Sequence, residues 1–496
     1  MKLFTLIRIW LGCLAFLLSL PLGQAGAARP NVLFIAVDDL NDWVGALGGH
    51  PQARTPNMDR LAKRGLLFTN AHCSAPGCNA SRSSLLTGLR PSTTGIYANA
   101  HDWRQAPQLK GAVTLPRHFK NNGYLTLGTG KLFHAHTFFD KKNLSGYPDP
   151  DAWADYFPSK TQQMPEEAVP EKWPVNSSRK FYGGHFDWSP LQISNAEMAD
   201  AKVVSWAAKQ LAKRHEQPLF LSVGIYRPHV PWYAPQKYFD RFPLDEIQLP
   251  EHLADDLDDL PENIRRQKIN RSRIHQRLVK LGAVQEALHG YLACMSYADA
   301  QIGRVLDALD AGPYADNTII VLWSDHGYHH GEKGDWGKHT LWERTSNVPF
   351  VWAGPGVAKG ATSDVTVSLI DMYPTFVELC DLPKTPHTLE GTSIAATLAD
   401  PNNAKDREVY LPHMFPESFA IMNREWRYIR YKDGSEELYN VQKDPNEWRN
   451  LAEQPKYVEI KKHLAGKAPK NFAKPVPKRK SKRDLILEGE TFRWKK

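Results

Sequence analysis

Three stretches of the chain are apolar without alternation: Asn31 to Val37, Pro218 to Ile225 and Asn317 to Trp323. Runs of this kind, rich in β-branched residues, read as strands buried on both faces. Each run stops at residues able to ligate a metal or move a proton. The first ends in Asp38-Asp39, the second near Arg227-Pro228-His229, and the third in Ser324-Asp325-His326-Gly327. Helical spacing fills the intervals. Pro56 to Gly65 reads as a short helix ending at glycine, and Leu288, Tyr291, Leu292, Met295, Ile302, Val305, Leu306 and Leu309 recur on one helical face. Strands alternating with helices predict an α/β fold with helices on both faces of the sheet. Ligands gather at the carboxyl ends of strands in such sheets, so chemistry is expected at these three ends.

Two regions break the pattern. Leu244 to Arg273 carries eight acidic residues between Asp245 and Glu262, then a basic cluster, and reads as a surface excursion. Beyond residue 405 the chain turns to alternation: Arg427 to Tyr431, a turn at Asp433-Gly434, then Glu437 to Tyr439. That is a hairpin in a small antiparallel C-terminal subdomain. The expected organisation is a signal peptide at 1–27, a catalytic domain at 28–405, and the subdomain with a basic tail at 406–496.

The start of the chain supports export. Lys2 and Arg8 precede an apolar stretch, Ile9 to Leu20, and Ala25-Gly26-Ala27 offers small residues for cleavage. No later segment reaches the ~18 consecutive apolar residues of a membrane span, so no stable membrane insertion is expected and a periplasmic, secreted or other extracytoplasmic location is. The formal charge of +8 is local. Eight basic residues and no acidic ones lie between Lys467 and Arg483, and without them the rest is near neutral. The tail reads as a solvated face, and nothing else points to nucleic acid. Past the leader remain Cys73, Cys78, Cys294 and Cys380. If Cys78 is catalytic, at most one disulfide is expected.

Cys78 opens the segment Cys78-Asn79-Ala80-Ser81-Arg82, followed by Leu86-Thr87-Gly88. Ser81 to Leu86 can start a helix, placing position 78 at its positive end. A cysteine phosphatase loop needs five residues between Cys and Arg, and here three intervene, which argues against it. The pattern instead resembles type I sulfatases, in particular the iduronate-2-sulfatase-like branch of the alkaline-phosphatase superfamily. Matching motifs run in the family's order from about residue 30 to 450. Together with the strand and helix pattern, the resemblance implies an alkaline-phosphatase-like sandwich, with a large mixed, mostly parallel sheet between helices.

It also implies that Cys78 is oxidised to formylglycine (3-oxoalanine) by a separate maturation enzyme. Ala80 stands where proline is commoner in the family, which leaves open how completely that enzyme acts. The aldehyde hydrates to a geminal diol. One hydroxyl, on a divalent cation, attacks sulfur, and the second then loses its proton and expels sulfate. By the same resemblance Asp38, Asp39, Asp325, His326 and residue 78 hold the metal. Mostly oxygen donors point to Ca²⁺ first and Mg²⁺ second. Arg82 would stabilise the modified residue. Lys131 and His134, in Gly130-Lys131-Leu132-Phe133-His134, would bind a sulfate oxygen or the diol and assist elimination. His229 is the candidate acid for the leaving alcohol. Lys338, in Gly337-Lys338-His339-Thr340, is a second sulfate-binding cation. Trp103 and Arg104 are candidate substrate contacts.

The expected activity is hydrolysis of sulfate esters on sugars or oligosaccharides, exo-acting, with a sulfated carbohydrate as substrate. Two readings compete. One is a phosphodiesterase or phosphonate monoester hydrolase of the same superfamily. The other is a carbohydrate-binding relative in which Cys78 stays unmodified.

Overall fold

The computed structural model describes residues 29–135, 146–176, 185–271, 273–477, 485–488 and 491–494. The expected signal peptide and residues 478–484 of the basic tail lie outside them. Eight strands form the main sheet: β1 (Asn31–Val37), β2 (Leu66–Phe68), β3 (Leu125–Gly130), β4 (Asp155–Phe157), β5 (Leu219–Ile225), β6 (Thr318–Ser324), β7 (Phe350–Ala353) and β8 (Ala361–Ser363). Their order across the sheet is β8-β2-β7-β6-β1-β5-β3-β4. Only β7 runs antiparallel to its neighbours. The sheet is therefore mixed and mostly parallel, and the three apolar runs are its centre: β1 pairs with β5 on one side and β6 on the other.

The absence of alternation in these runs follows from their two partners. In β1, Leu33, Ile35 and Val37 point into one core with the helices Pro56–Arg64, Ala199–Leu211 and Val284–Asp310. Val32, Phe34 and Ala36 point into the other, beside Leu85, Phe119 and Phe376. Burial on both faces leaves no polar side, and each of the seven residues of β1 is buried.

A second sheet begins at Val409. Its strands β9 (Val409–Pro412), β10 (Phe419–Met422), β11 (Trp426–Arg430) and β12 (Glu436–Asn440) are antiparallel and sequential. The β11–β12 turn contains Gly434 at φ 89°, the left-handed region that glycine enters without strain. Tyr428, Leu438 and Ile421 face Leu464 of the helix Val458–Ala465, while Leu411, Ala420 and Ile429 face the main core.

The stretch read as a surface excursion is more than that. It forms the helices Glu262–Arg271 and Arg273–Leu281 and is tied to the C-terminal subdomain. Arg449 pairs with Asp255 at 3.0 Å, and the Asn450 amide donates to Asp259 at 2.6 Å. Cys73, Cys78, Cys294 and Cys380 are all free and buried, so the described residues hold no disulfide. No described helix is long and apolar enough to cross a membrane.

Candidate active site

Four adjacent parallel strands deliver the site from their carboxyl ends. β1 ends at Asp38 and Asp39, β6 at Asp325 and His326, β5 leads to Arg227 and His229, and β3 runs into Lys131. The register aligns Val37 with both Ile225 and Ser324, so these ends lie level. Lys131 depends on two glycines. Gly130 takes φ 77°, and a side chain on Gly224 would meet the Lys131 carbonyl oxygen at 2.3 Å. Only bare backbone lets the chain turn there.

Cys78 is the first residue of the helix Cys78–Thr87, after Gly77 in extended conformation. The positive end of that helix therefore lies at Sγ. Three nitrogen groups surround the sulfur: Lys338 Nζ at 3.1 Å, His326 Nε2 at 3.2 Å and Lys131 Nζ at 3.8 Å. Burial pushes the Cys78 thiol up to about 12, against the pull of Lys131 and Lys338.

Arg82 is fully buried one turn into the same helix. Its Nε donates to Asp325 at 2.7 Å and its Nη2 faces Asp38 at 3.3 Å, while Nη1 reaches the carbonyl of Leu132 at 3.0 Å and that of Lys131 at 2.5 Å. It braces the carboxylates and leaves the space beside Cys78 to the two lysines. Lys131 pairs with Asp38, and Lys338 with Asp39 at 2.5 Å. Burial raises the Asp38 carboxyl, but Lys131, His229 and Arg82 outweigh it and hold it well below the usual range. For Asp39 the balance is reversed: burial, with Asp38 nearby, raises it despite Lys338.

The residues fit a divalent cation. Asp38, Cys78, Asp325 and His326 place one donor atom each within 4.8 Å of one another, and Asp38, Asp39, Cys78 and His229 do the same. Asp39 Oδ2 is buried and has no hydrogen-bond partner. Buried carboxylates without partners are costly unless a cation takes them, and a set mainly of oxygens suits a hard ion.

His229 turns Nδ1 to the Val230 carbonyl at 2.6 Å and Nε2 toward Asp39 at 3.7 Å. Burial, then Lys338, hold its ring well below the usual histidine range. His134 is buried with its ring 5.9 Å from that of Tyr147. Trp103 and Arg104, the expected substrate contacts, pack beside the Phe133 and Tyr147 segments. Trp103 stacks on Phe133 at 5.2 Å and donates to the Tyr147 carbonyl at 2.6 Å, and Arg104 is held by Asp102 at 2.8 Å. Both border a smaller hollow with Arg117 and Asp149.

A much larger cavity opens on Asp39, His229 and Lys338. The sequence motifs do not mark its outer walls, which come from the helical insertion and the loops of the small sheet. The acidic block followed by a basic cluster was the available signal, but charge runs are usually solvated faces.

Comparison with known proteins agrees with this geometry. Residues 30–382 match the sulfatase family, and residues 331–473 match the N-sulphoglucosamine sulphohydrolase C-terminal family. A sulfatase of Formosa agariphila is 39% identical over 461 residues, covering 91% of this chain and 88% of that protein. Human iduronate 2-sulfatase is 32% identical over 372 residues, covering 70% of this chain and 64% of that protein. The fold is shared with the phosphonate monoester hydrolase of Agrobacterium radiobacter, at a TM-score of 0.68 and 20% identity over 88% of this chain and 94% of that one. The chain belongs to the sulfatase family of the alkaline-phosphatase superfamily, and is a sulfuric ester hydrolase.

Proposed function

We propose that the protein is exported and hydrolyses sulfate esters on sugars, exo-acting, with formylglycine made from Cys78 as its nucleophilic residue. The domain at 28–405 carries the chemistry and the subdomain from 406 closes one side of it. The observation that carries the reading is the setting of Cys78 Sγ, between two lysine ammonium groups and an imidazole, above three carboxylates. A sugar-directed substrate is supported by the relative whose name is iduronate 2-sulfatase.

Lys131 and Lys338 would take the non-bridging oxygens of the sulfate and stabilise charge as it moves toward the leaving oxygen. Arg82 fixes Asp38 and Asp325 in place. His229 presents Nε2 because Nδ1 is committed to a carbonyl. The negative charge of a bound sulfate ester favours its protonation, which makes it the acid for the leaving alcohol. His134 would assist release. A divalent cation, Ca²⁺ before Mg²⁺, held by Asp38, Asp39, Asp325, His326 and residue 78, would supply Lewis-acid polarisation. The formylglycine hydrate would supply one hydroxyl to attack sulfur and a second whose proton loss frees sulfate. Cys78 is wholly buried, so the maturation enzyme must act before the fold closes.

The test compares turnover of 4-nitrophenyl sulfate, 4-nitrophenyl phosphate and a phosphonate monoester by protein whose residue 78 has been identified by peptide mass. Sulfate should be fastest. Faster cleavage of either phosphorus ester would overturn the assignment, and wholly unmodified Cys78 in natively produced protein would favour a binding role.

A further inference from the structure

The cavity above Cys78 has a volume of about 1890 Å³. Sites for drug-sized molecules hold roughly 300–1,000 Å³, so this one exceeds the needs of a single sulfated sugar. Asp39, His229 and Lys338 belong to its floor. Its outer walls come from the insertion, through Lys268 and Arg273, and from the β9–β10 loop, through His413 and Phe415.

These walls are fixed to each other. The buried Lys333 donates to the Asp256 carboxylate at 2.6 Å and to the Glu447 carbonyl at 2.6 Å, joining insertion and subdomain through one ammonium. Lys333 belongs to the same loop as Lys338, so the floor is tied in as well. The outer half of the cavity is thus a built feature.

Two wall residues have no partner that explains them. Most cations there are paired: Lys268 with Asp335, Lys338 with Asp39 at 2.5 Å, and Lys432 with Glu417 at 3.4 Å. Arg273 is exposed and makes no ion pair or hydrogen bond with any described residue. A guanidinium is a planar fork that suits a carboxylate or a sulfate. Phe415 is 48% exposed. Its ring lies 5.3 Å from that of His413, whose Nε2 meets the His339 carbonyl at 3.0 Å. A lone exposed aromatic on an open surface needs no explanation. On the wall of a cavity whose floor is catalytic, it offers an apolar face to the C–H side of a sugar ring.

We propose that this outer half binds the sugar next to the one bearing the scissile sulfate, with Phe415 against its ring and Arg273 on an acidic group. The substrate is then an acidic oligosaccharide. This rests on the sulfatase reading of the floor.

The experiment uses full-length enzyme with converted residue 78, 4-nitrophenyl sulfate as the small probe, and heparan-sulfate and chondroitin-sulfate tetrasaccharides as the long ones. Arg273→Ala and Phe415→Ala should each lower the ratio of tetrasaccharide to 4-nitrophenyl sulfate kcat/KM at least ten-fold, through KM. Carboxyl-reduced tetrasaccharides identify the group Arg273 reads: lost binding assigns a carboxylate, retained binding a second sulfate. An unchanged ratio in both variants would overturn the proposal. So would wild-type enzyme that turns over 4-nitrophenyl sulfate but neither cleaves nor is inhibited by any tetrasaccharide. Wild-type enzyme inactive on every sulfate ester would overturn the reading of the floor, and this inference with it.

Discussion

His326 meets Cys78 through Nε2, 3.2 Å from Sγ, because its Nδ1 is committed to the carbonyl of Gly327 at 2.9 Å. A carbonyl only accepts, so Nδ1 carries the hydrogen and Nε2 keeps its lone pair for the site. Burial, which outweighs the pull of Asp325, favours this neutral ring. His326→Ala should weaken metal binding by at least the ~10–100-fold that follows loss of a supporting group at metal sites. Metal content after dialysis and turnover should fall together. Full metal occupancy in the variant would remove His326 from the ligand set.

Cys78→Ser separates folding from chemistry. Serine fits the volume of cysteine, and while peptide mass shows it unoxidised its single hydroxyl cannot supply both the attack and the elimination. Steady-state hydrolysis of 4-nitrophenyl sulfate should vanish while the melting temperature changes by less than the ~2–4 °C that 1 kcal/mol gives in a chain this large. Sustained turnover by a serine variant whose residue 78 is unmodified by peptide mass would show that formylglycine is not required.

Arg82→Met leaves Asp38 and Asp325 buried without their guanidinium. Breaking a buried pair from one side costs about 3–5 kcal/mol. Added Ca²⁺ should recover part of this loss, because a bound cation takes over the pairing. Chemical denaturation with Ca²⁺ and with chelator measures both effects. Equal loss in the two conditions would mean that the ion does not share these carboxylates.

Asp200 supports the chain that carries His229. Its carboxylate accepts from the amides of Tyr226 at 2.8 Å and Arg227 at 3.0 Å, and Arg227 faces Glu167 at 3.3 Å. Two buried carboxylates share one guanidinium. Burial, then Glu167, raise Asp200 to about 7, above its ordinary acidic value. Between those values the folded protein holds a proton that the unfolded chain has lost. Stability from this group is therefore full on the acid side and falls as pH rises toward about 7. Asp200→Asn should flatten that slope, by on the order of a few kcal/mol between about pH 5 and 8. Denaturant midpoints across this range decide it, and parallel profiles would show that Asp200 is ionised throughout.

The strands, the long helix and the β11–β12 hairpin were readable because local pattern dictates them. A strand buried on both faces has no polar positions, a helix on a sheet repeats its apolar face, and Asp433-Gly434 supplies the turn. The placement of Asp38 and Asp325 was readable too, since carboxyl ends of parallel strands converge in any such sheet. Lys131 was reached only through the family resemblance, because its short strand was not read. The surroundings of Trp103 and Arg104 were not legible in the same way. Proximity in sequence to the Cys78 helix does not specify which side of Phe133 a loop packs on.

What the sequence determined alone is the chemistry of the floor: which strand ends carry acids, which helix start carries Cys78, and which family these motifs mark. What only the tertiary structure decided is the cavity above it. Its walls join residues near 264, 273, 336, 415 and 431, and the segments that carry them are tied together behind the wall by contacts such as Lys333 with Asp256 and Glu447. Contacts between distant segments leave no periodicity in either one, so charge that reads as a solvated face along the chain becomes part of a cavity wall once the chain is folded.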